Sequence, residues 1–223
     1  MPAFSADCRR CPRLARHLAR VRDRFPDHHA RPVAPFGPNR GRLLVVGLAP
    51  GLHGANRTGR PFTGDYAGLL LYETLHRYGF ASRPVSTALN DGLRLLDCRI
   101  TNAVKCLPPA NRPDPAEVRT CNDYLVSEIE ALPEGAIVLA LGRIAHDAVL
   151  MALALKRSSR PFRHGARHAL PREIALFDSY HCSRYNTQTR RLTPAMFRAV
   201  VKAVRDRLDV SAGPRRRGSR ASR

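Results

Sequence analysis

Three stretches of the chain concentrate residues able to bind or transform a ligand. The first, GLAPGLHGANRTGRPFTGD over residues 47–65, follows an apolar run with glycines, two arginines, a phenylalanine and a single acid. Glycine lets backbone come close to a ligand. Arg57 and Arg60 suit phosphate oxygens, Phe62 offers a flat face, and Asp65 puts a carboxylate at the start of the next helical pattern, where it can act as a base or as a helix cap. The second stretch, RITNAVKC, carries Asn102, whose amide holds a donor and an acceptor in one plane, as reading the edge of a base requires. The third, DSYHCSRYNTQTRRLT, brings His181 together with Ser183, Asn186, Thr187 and Arg190. A histidine there can donate to an oxygen that gathers negative charge. The first stretch has neither the spacing and Lys-Ser/Thr ending of a Walker A loop nor the dinucleotide fingerprint, so nucleotide hydrolysis and dehydrogenase chemistry lose ground.

Cysteines form the other chemical grouping. Cys8 and Cys11 make a C-x2-C pair, and Cys106 and Cys121 follow much later, separated by fourteen residues. Four thiolates can hold zinc or a [4Fe-4S] cluster, and spacing alone does not choose between them, nor does it exclude buried thiols or redox chemistry. Cys98 sits in a strand-like run and reads as packing. Cys182 adjoins His181, but adjacent side chains are badly placed to act on each other as nucleophile and base.

The elements that must position these residues alternate strand with helix. RLLVVGLAP reads as a buried parallel strand entering a functional loop. Further strands are expected over Asp97–Val104, in AIVLALG, and in REIALFDSYH. Helical patterns cover Pro12–Arg24, Tyr66–Tyr78 with a stop at Gly79, the stretch from Pro115 to Leu132, RIAHDAVLMALALK, and Pro194–Leu208. A Pro-rich linker joins the first helix to the first strand. The expected architecture is a parallel sheet covered by helices on both faces, with ligands beyond the carboxyl ends of its strands.

A length of 223 residues fits one domain with a sizeable core. The formal charge is +20, of which the tail GPRRRGSRASR supplies five arginines, so the body itself is basic and a polyanion is the economical partner. No apolar run long enough to cross a bilayer and no signal region are visible, and a cytoplasmic location is the expectation.

The three polar stretches GLAPGLHGANRTGRPFTGD, ITNAVKCLPPANRP and HCSRYNTQTRRLT, with the four spaced cysteines, resemble the motifs of the iron-sulfur uracil-DNA glycosylases, specifically family 5, also called type B. The likeness runs from Cys8 through the last motif and leaves out the basic tail. It implies a three-layer α/β/α fold with a central four-stranded parallel sheet. Residues 1–210 would form one domain including an N-terminal cluster-binding segment, with 211–223 a disordered basic tail. It implies a [4Fe-4S] cluster held by Cys8, Cys11, Cys106 and Cys121, structural in role. Related enzymes flip a damaged nucleotide out of DNA and hydrolyse its glycosidic bond, leaving an abasic site.

Carried onto this chain, the resemblance makes Asp65, Asn102 and His181 catalytic. Asp65 would position or activate water, or steady the sugar cation. Asn102 would read the base edge, and His181 would meet the carbonyl oxygen that gains charge. Ala49, Gly51 and Phe62 would complete the base pocket with Asn102 and His181, Phe62 by stacking. Arg57, Arg60, Ser183, Arg184, Tyr185 and Arg190 would contact DNA. Related enzymes often carry an acid just after the first strand. Here Ala49 stands in that place, a change normal for family 5 and associated with accepting hypoxanthine and exocyclic adducts as well as uracil. The proline that often follows the last-motif histidine is Cys182 here, which affects how stiff that loop is. No catalytic lysine suggests itself, so a monofunctional hydrolase is expected, provisionally setting aside Lys105 and Lys156. The partner would be damaged DNA, double-stranded and also single-stranded, bound by a monomer without membrane contact. The alternative is a DNA-binding protein that keeps the fold and has lost catalysis.

Overall fold

The structure is a computed structural model that describes residues 4–211. Its elements in chain order are α1 (Pro12–Arg24), β1 (Leu43–Gly47), α2 (Ala55–Thr58), α3 (Tyr66–Arg77), β2 (Cys98–Asn102), α4 (Pro115–Glu130), β3 (Ile137–Leu141), α5 (Arg143–Ala152), β4 (Arg167–Ala169), β5 (Ala175–Ser179), α6 (Arg184–Gln188) and α7 (Pro194–Ser211). The five strands form one sheet in the order β2-β1-β3-β5-β4. Four are parallel, as the resemblance implied; β4 runs antiparallel to β5 and makes the sheet mixed. That fifth strand escapes the sequence because it is three residues long, exposed at both ends and without an apolar run. It marks the edge, where short strands are common.

Side-chain alternation along the strands creates the layers. Leu44, Val46, Val138, Ala140 and Leu176 face one side, where α1, α4 and α5 bury Leu14, Leu18, Leu125, Ile129 and Val149. Leu43, Val45, Ile137, Leu139 and Phe177 face the other, against Leu71 and Leu75 of α3 and Phe197, Val201 and Val204 of α7. Each Leu, Val, Ile or Phe side chain among these, taken fully from water, contributes about 1.5–3 kcal/mol. Helix starts are chemically marked. Asp65 caps α3, and α4 opens with Pro115 while the Glu117 carboxylate accepts from the Asp114 N–H at 2.8 Å.

The predicted helices form, with ends shifted by a few residues: α4 and α5 stop short of Leu132 and Lys156, and α7 continues to Ser211. The second strand is shorter than the predicted Asp97–Val104. The tail expectation lies outside the described residues from 212 onward. Among the described residues, no helix is long and apolar enough to cross a membrane.

Register is the feature that builds a site. Gly47 at the end of β1 lies beside Asn102 at the end of β2, Val46 beside Ala140, and Leu141 beside Ser179. The polar stretches that follow β1, β2 and β5 therefore leave the sheet from the same edge.

Candidate active site

Glycines at the mouth of β1 are spaces into which functional side chains pack. A Cβ on Gly47 would overlap both the Asn102 Oδ1 and the Phe62 ring. Phe62 takes a positive φ of 54°, turning its ring inward, and its carbonyl lies so close to Gly68 of α3 that a Cβ there would collide with it. The Phe62 ring stacks near that of His181, with centroids 5.7 Å apart and planes inclined by 28°. Asn102 is 3% exposed, and its Oδ1 is buried without a hydrogen-bond partner. An orphaned amide oxygen costs stability unless a ligand satisfies it.

Asp65 follows Phe62 in the same loop and lies against Gly51 and Gly54. One carboxylate oxygen accepts from the Gly68 N–H at 3.2 Å, and the other lies against Gly54, where a Cβ would collide with it. Burial raises its pKa, partly offset by backbone hydrogen bonds from Gly68 and Ala67. His181 is held by its main chain, its carbonyl accepting from Asn186 Nδ2 at 2.8 Å, while burial pushes the imidazole pKa down to about 4. That shift favours the neutral imidazole over the imidazolium at neutral pH.

Gly51 supplies a carbonyl that accepts from the N–H groups of Gly54 and Asn56 at 3.2 and 3.1 Å, shaping the loop, and Ala49 packs on the α1/α4/α5 side of the core. Beside Asp65 an open groove is lined by Arg57, Gly64, Tyr66, Leu69, Val85 and Arg184, among others. Arg57 is exposed, and the Arg184 guanidinium lies 5.8 Å from the centre of the Tyr66 ring. Ser183 caps α6 by accepting from the Asn186 N–H, Tyr185 is 70% exposed, and Arg190 is exposed at a positive φ of 56°.

Arg60 departs from expectation. It is 2% exposed, paired with Asp91 at 2.8 Å, bonded to Ser86 Oγ at 2.9 Å and to the Leu89 carbonyl, and packed on the Phe36 ring. With its donors turned inward it offers no charge to a phosphate. It anchors the irregular segment 82–92 to the Asp65 loop, helped by a 2.7 Å hydrogen bond between Thr63 and Ser86. That segment forms part of the groove wall, which sequence reading missed for want of a periodic signal. Asn56 was also passed over. It is fully buried with both amide atoms unpartnered, and its residue type inside the Gly-rich loop was the available signal.

Cys8, Cys11, Cys106 and Cys121, brought from the N-terminus, the segment after β2, and α4, line one small cavity together with Leu14, Val104 and Tyr124. None is in a disulfide. Burial raises the Cys106 pKa, and the neighbouring Cys121, Cys8 and Cys11 raise it further, so the four thiols feel one another's charge.

A different group, His146, His168 and Asp178, brings three ligand-type atoms within 4.8 Å and is spaced to hold a metal ion. Its atoms are also bonded to one another: His146 Nδ1 to Asp178 at 2.7 Å, His168 Nε2 to Asp178 at 3.3 Å, and His146 Nε2 to the Arg160 carbonyl at 2.8 Å. Of the two lysines set aside above, Lys156 is exposed beyond α5, and Lys105 is 1% exposed with its ammonium fully engaged.

The family model described as the uracil DNA glycosylase superfamily matches residues 34–205. The chain is 48% identical over 199 residues to the type-5 uracil-DNA glycosylase of Thermus thermophilus, covering 87% of this chain and 90% of that protein. It is 43% identical over 202 residues to the type-5 uracil-DNA glycosylase of Mycobacterium tuberculosis, covering 87% and 75%. A type-4 uracil-DNA glycosylase of Archaeoglobus fulgidus is 42% identical over 114 residues, about half of each chain.

Proposed function

The chain belongs to the uracil DNA glycosylase superfamily, within the type-5 group, and we propose that it hydrolyses the N-glycosidic bond of uracil, hypoxanthine and etheno-adducted bases in DNA, leaving an abasic site. Its activity is that of a uracil-DNA glycosylase acting on damaged or deaminated bases. What supports the site assignment is the meeting of Phe62 and Asn102 at Gly47, with His181 stacked near Phe62, Asp65 in the same loop as Phe62, and the Asn102 oxygen left unpartnered.

In the proposed reaction the base enters beside Phe62, which stacks on it, and the Asn102 amide meets its polar edge. As the C1′–N bond lengthens, charge builds on the departing base and His181 donates a hydrogen bond to its carbonyl oxygen. A neutral imidazole suits this task because it polarises the oxygen without carrying a net charge of its own. The Asp65 carboxylate stabilises the sugar cation and orients or deprotonates the water that adds to C1′. The oxygen of water becomes the new anomeric hydroxyl, and the base leaves with the bonding pair and takes up a proton.

Neither Lys105 nor Lys156 supplies an amine for a Schiff base, which supports a monofunctional hydrolase. Arg57, Arg184, Arg190 and exposed Tyr185 contact the DNA, the arginines at its phosphates, and Ser183 supports that loop. Ala49, in place of an acid, leaves the pocket less selective among bases.

The four thiols fit a [4Fe-4S] cluster in donor type and number and line one cavity, and Cys8, Cys11, Cys106 and Cys121 would hold it. Its chemistry there is cross-linking: it would pin the N-terminal segment and α1 to α4 and to the segment following Asn102. We read the folded body to residue 210 as one domain that acts as a cytoplasmic monomer on duplex and single-stranded DNA, with residues 211–223 an accessory basic tail.

Purified protein incubated with duplexes containing uracil, hypoxanthine or an etheno adduct, then treated with alkali, should give strand breaks at the lesion. No break with any of the three by iron-loaded protein would favour the binding-only alternative. Iron and sulfide analysis should find a four-iron centre, and stoichiometric zinc without iron would overturn the cofactor reading.

A further inference from the structure

The lysine set aside as a catalyst occupies a telling position. Lys105 is 1% exposed, and its three N–H donors are all used: one to Thr101 Oγ1, one to the Asn102 carbonyl at 3.0 Å, and one to the Glu128 carboxylate at 2.7 Å. Removing an ammonium from water is costly and persists only when charge and hydrogen bonds replace the lost hydration. Here that replacement comes from α4, through Glu128, and from the last two residues of β2. Of the two carboxylate oxygens of Glu128, one holds the lysine and the other is buried without a partner, so α4 commits this acid to the lysine alone.

The consequence falls on Asn102. Its backbone is fixed on both sides, by sheet register with Gly47 and by the ammonium at its carbonyl, while its side-chain oxygen has no protein partner. A hydrogen bond between Asn102 Oδ1 and the protein would fix the amide but use up the acceptor a base needs. Holding the residue by its main chain fixes where the amide sits and leaves its hydrogen-bonding capacity free. A saturated, immobile ammonium suits this purpose better than a neutral donor, because its charge-assisted bonds are short and about twice as strong.

We propose that Lys105 is a positioning residue for base recognition, with Glu128 as its counter-ion and Thr101 as its second anchor. It sets the height and direction of the Asn102 amide at the edge of the pocket. This rests on the reading that Asn102 meets the base. The same residue's backbone N–H donates to Cys121 Sγ at 3.3 Å, so the experiment must separate a role at Asn102 from a role at the thiols.

The test uses the iron-loaded full chain. In the double variant Lys105→Met/Glu128→Leu both charges go and neither is left buried alone. In Thr101→Val the lysine stays and one anchor is lost. Asn102→Ala is the control. Four quantities are measured: single-turnover rate on uracil duplex, the rate ratio of uracil to hypoxanthine, affinity for duplex carrying an abasic-site analogue, which has no base to read, and iron content.

A displacement of reacting partners by about 1 Å can cost roughly 100-fold. The double variant should therefore lose tens- to about 100-fold in rate on uracil and shift the uracil-to-hypoxanthine ratio toward that of Asn102→Ala. Abasic-analogue affinity should stay within about twofold and iron should be retained. Thr101→Val should show the same pattern at a few-fold size, and it carries the test alone if the double variant fails to fold. Wild-type rate and ratio in a folded variant, loss of iron, or an equal loss of abasic-analogue affinity would each overturn the proposal. A wild-type ratio in Asn102→Ala would instead overturn the underlying reading of that residue, leaving the two failures distinguishable.

Discussion

Two histidines near the carboxyl ends of neighbouring strands are perturbed in opposite directions. His181, after β5, is partly buried without a charged partner, and desolvation lowers its pKa to about 4. Burial works against the charge of His146 too, but the Asp178 carboxylate and the Arg160 carbonyl outweigh it and the pKa rises. Around His146 both ring nitrogens and both Asp178 oxygens have partners. Around His181 the neighbouring Asn102 oxygen has none, and Asn56, buried in the adjacent loop, has neither amide atom paired. Both regions are polar and buried. What separates them is saturation: one spends its hydrogen bonds on tying the 157–169 segment to the core, and the other keeps them for something that arrives.

Experiments can break or sharpen that contrast. The largest effect is expected at Asp65. Asp65→Asn should lower single-turnover base release by about 10²–10⁴-fold, with no fall in Tm, because asparagine also caps helices and removes a desolvated charge. A wild-type rate would take Asp65 out of the reaction.

His181→Ala should cost about 10²–10³-fold, the range for losing one donor to a developing oxyanion. The wild-type profile should show no limb near the ordinary histidine value of about 6.5, because His181 is already neutral there. Its acid limb should instead follow Asp65 and lie above the usual aspartate range. The sign for stability is also fixed. A depressed folded pKa means the unfolded chain binds the proton first, so stability is lost as pH falls from about 6.5 toward about 4. His181→Ala should flatten that part of the Tm-against-pH curve.

His146→Leu should behave in the opposite sense. It leaves Asp178 buried with one partner fewer, which costs about 3–5 kcal/mol and lowers Tm by roughly 10 °C for a chain of this size. Rate per folded molecule at 25 °C should be nearly unchanged. A rate loss as large as that of His181→Ala would erase the distinction between the two regions.

The smallest effects belong to the arginines. Arg57→Ala and Arg184→Ala should each reduce the slope of log Kd against log salt by about one and weaken binding several-fold. Arg60→Ala should leave that slope alone and instead lower Tm, since its guanidinium holds Asp91 and the Leu89 carbonyl.

Much of this was legible along the chain. Of the four parallel strands, β1 and β3 are near-continuous apolar runs, the pattern of strands buried on both faces, and Asp65 before a helical period is a cap by local chemistry alone. β4 was not legible, because Arg167–Ala169 gains strand geometry only from pairing with β5. Arg60 was misread for a related reason. In a loop beside Arg57 it looks equally available, and its partner Asp91 lies 31 residues further on. His146, His168 and Asp178 are likewise scattered in sequence and meet only across α5, β4 and β5.

By itself the sequence determined the three-layer arrangement, the family through its three motifs and four cysteines, and the residues competent for the chemistry. These depend on local periodicity and on residue type, which a linear chain carries. Tertiary structure alone decided which polar groups are spent and which stay free. It turned Arg60 inward and Arg57 outward, saturated His146, left Asn102 unpartnered, and placed Lys105 beneath it. Saturation depends on distances between residues far apart in the chain, and only sheet register and helix packing set those distances.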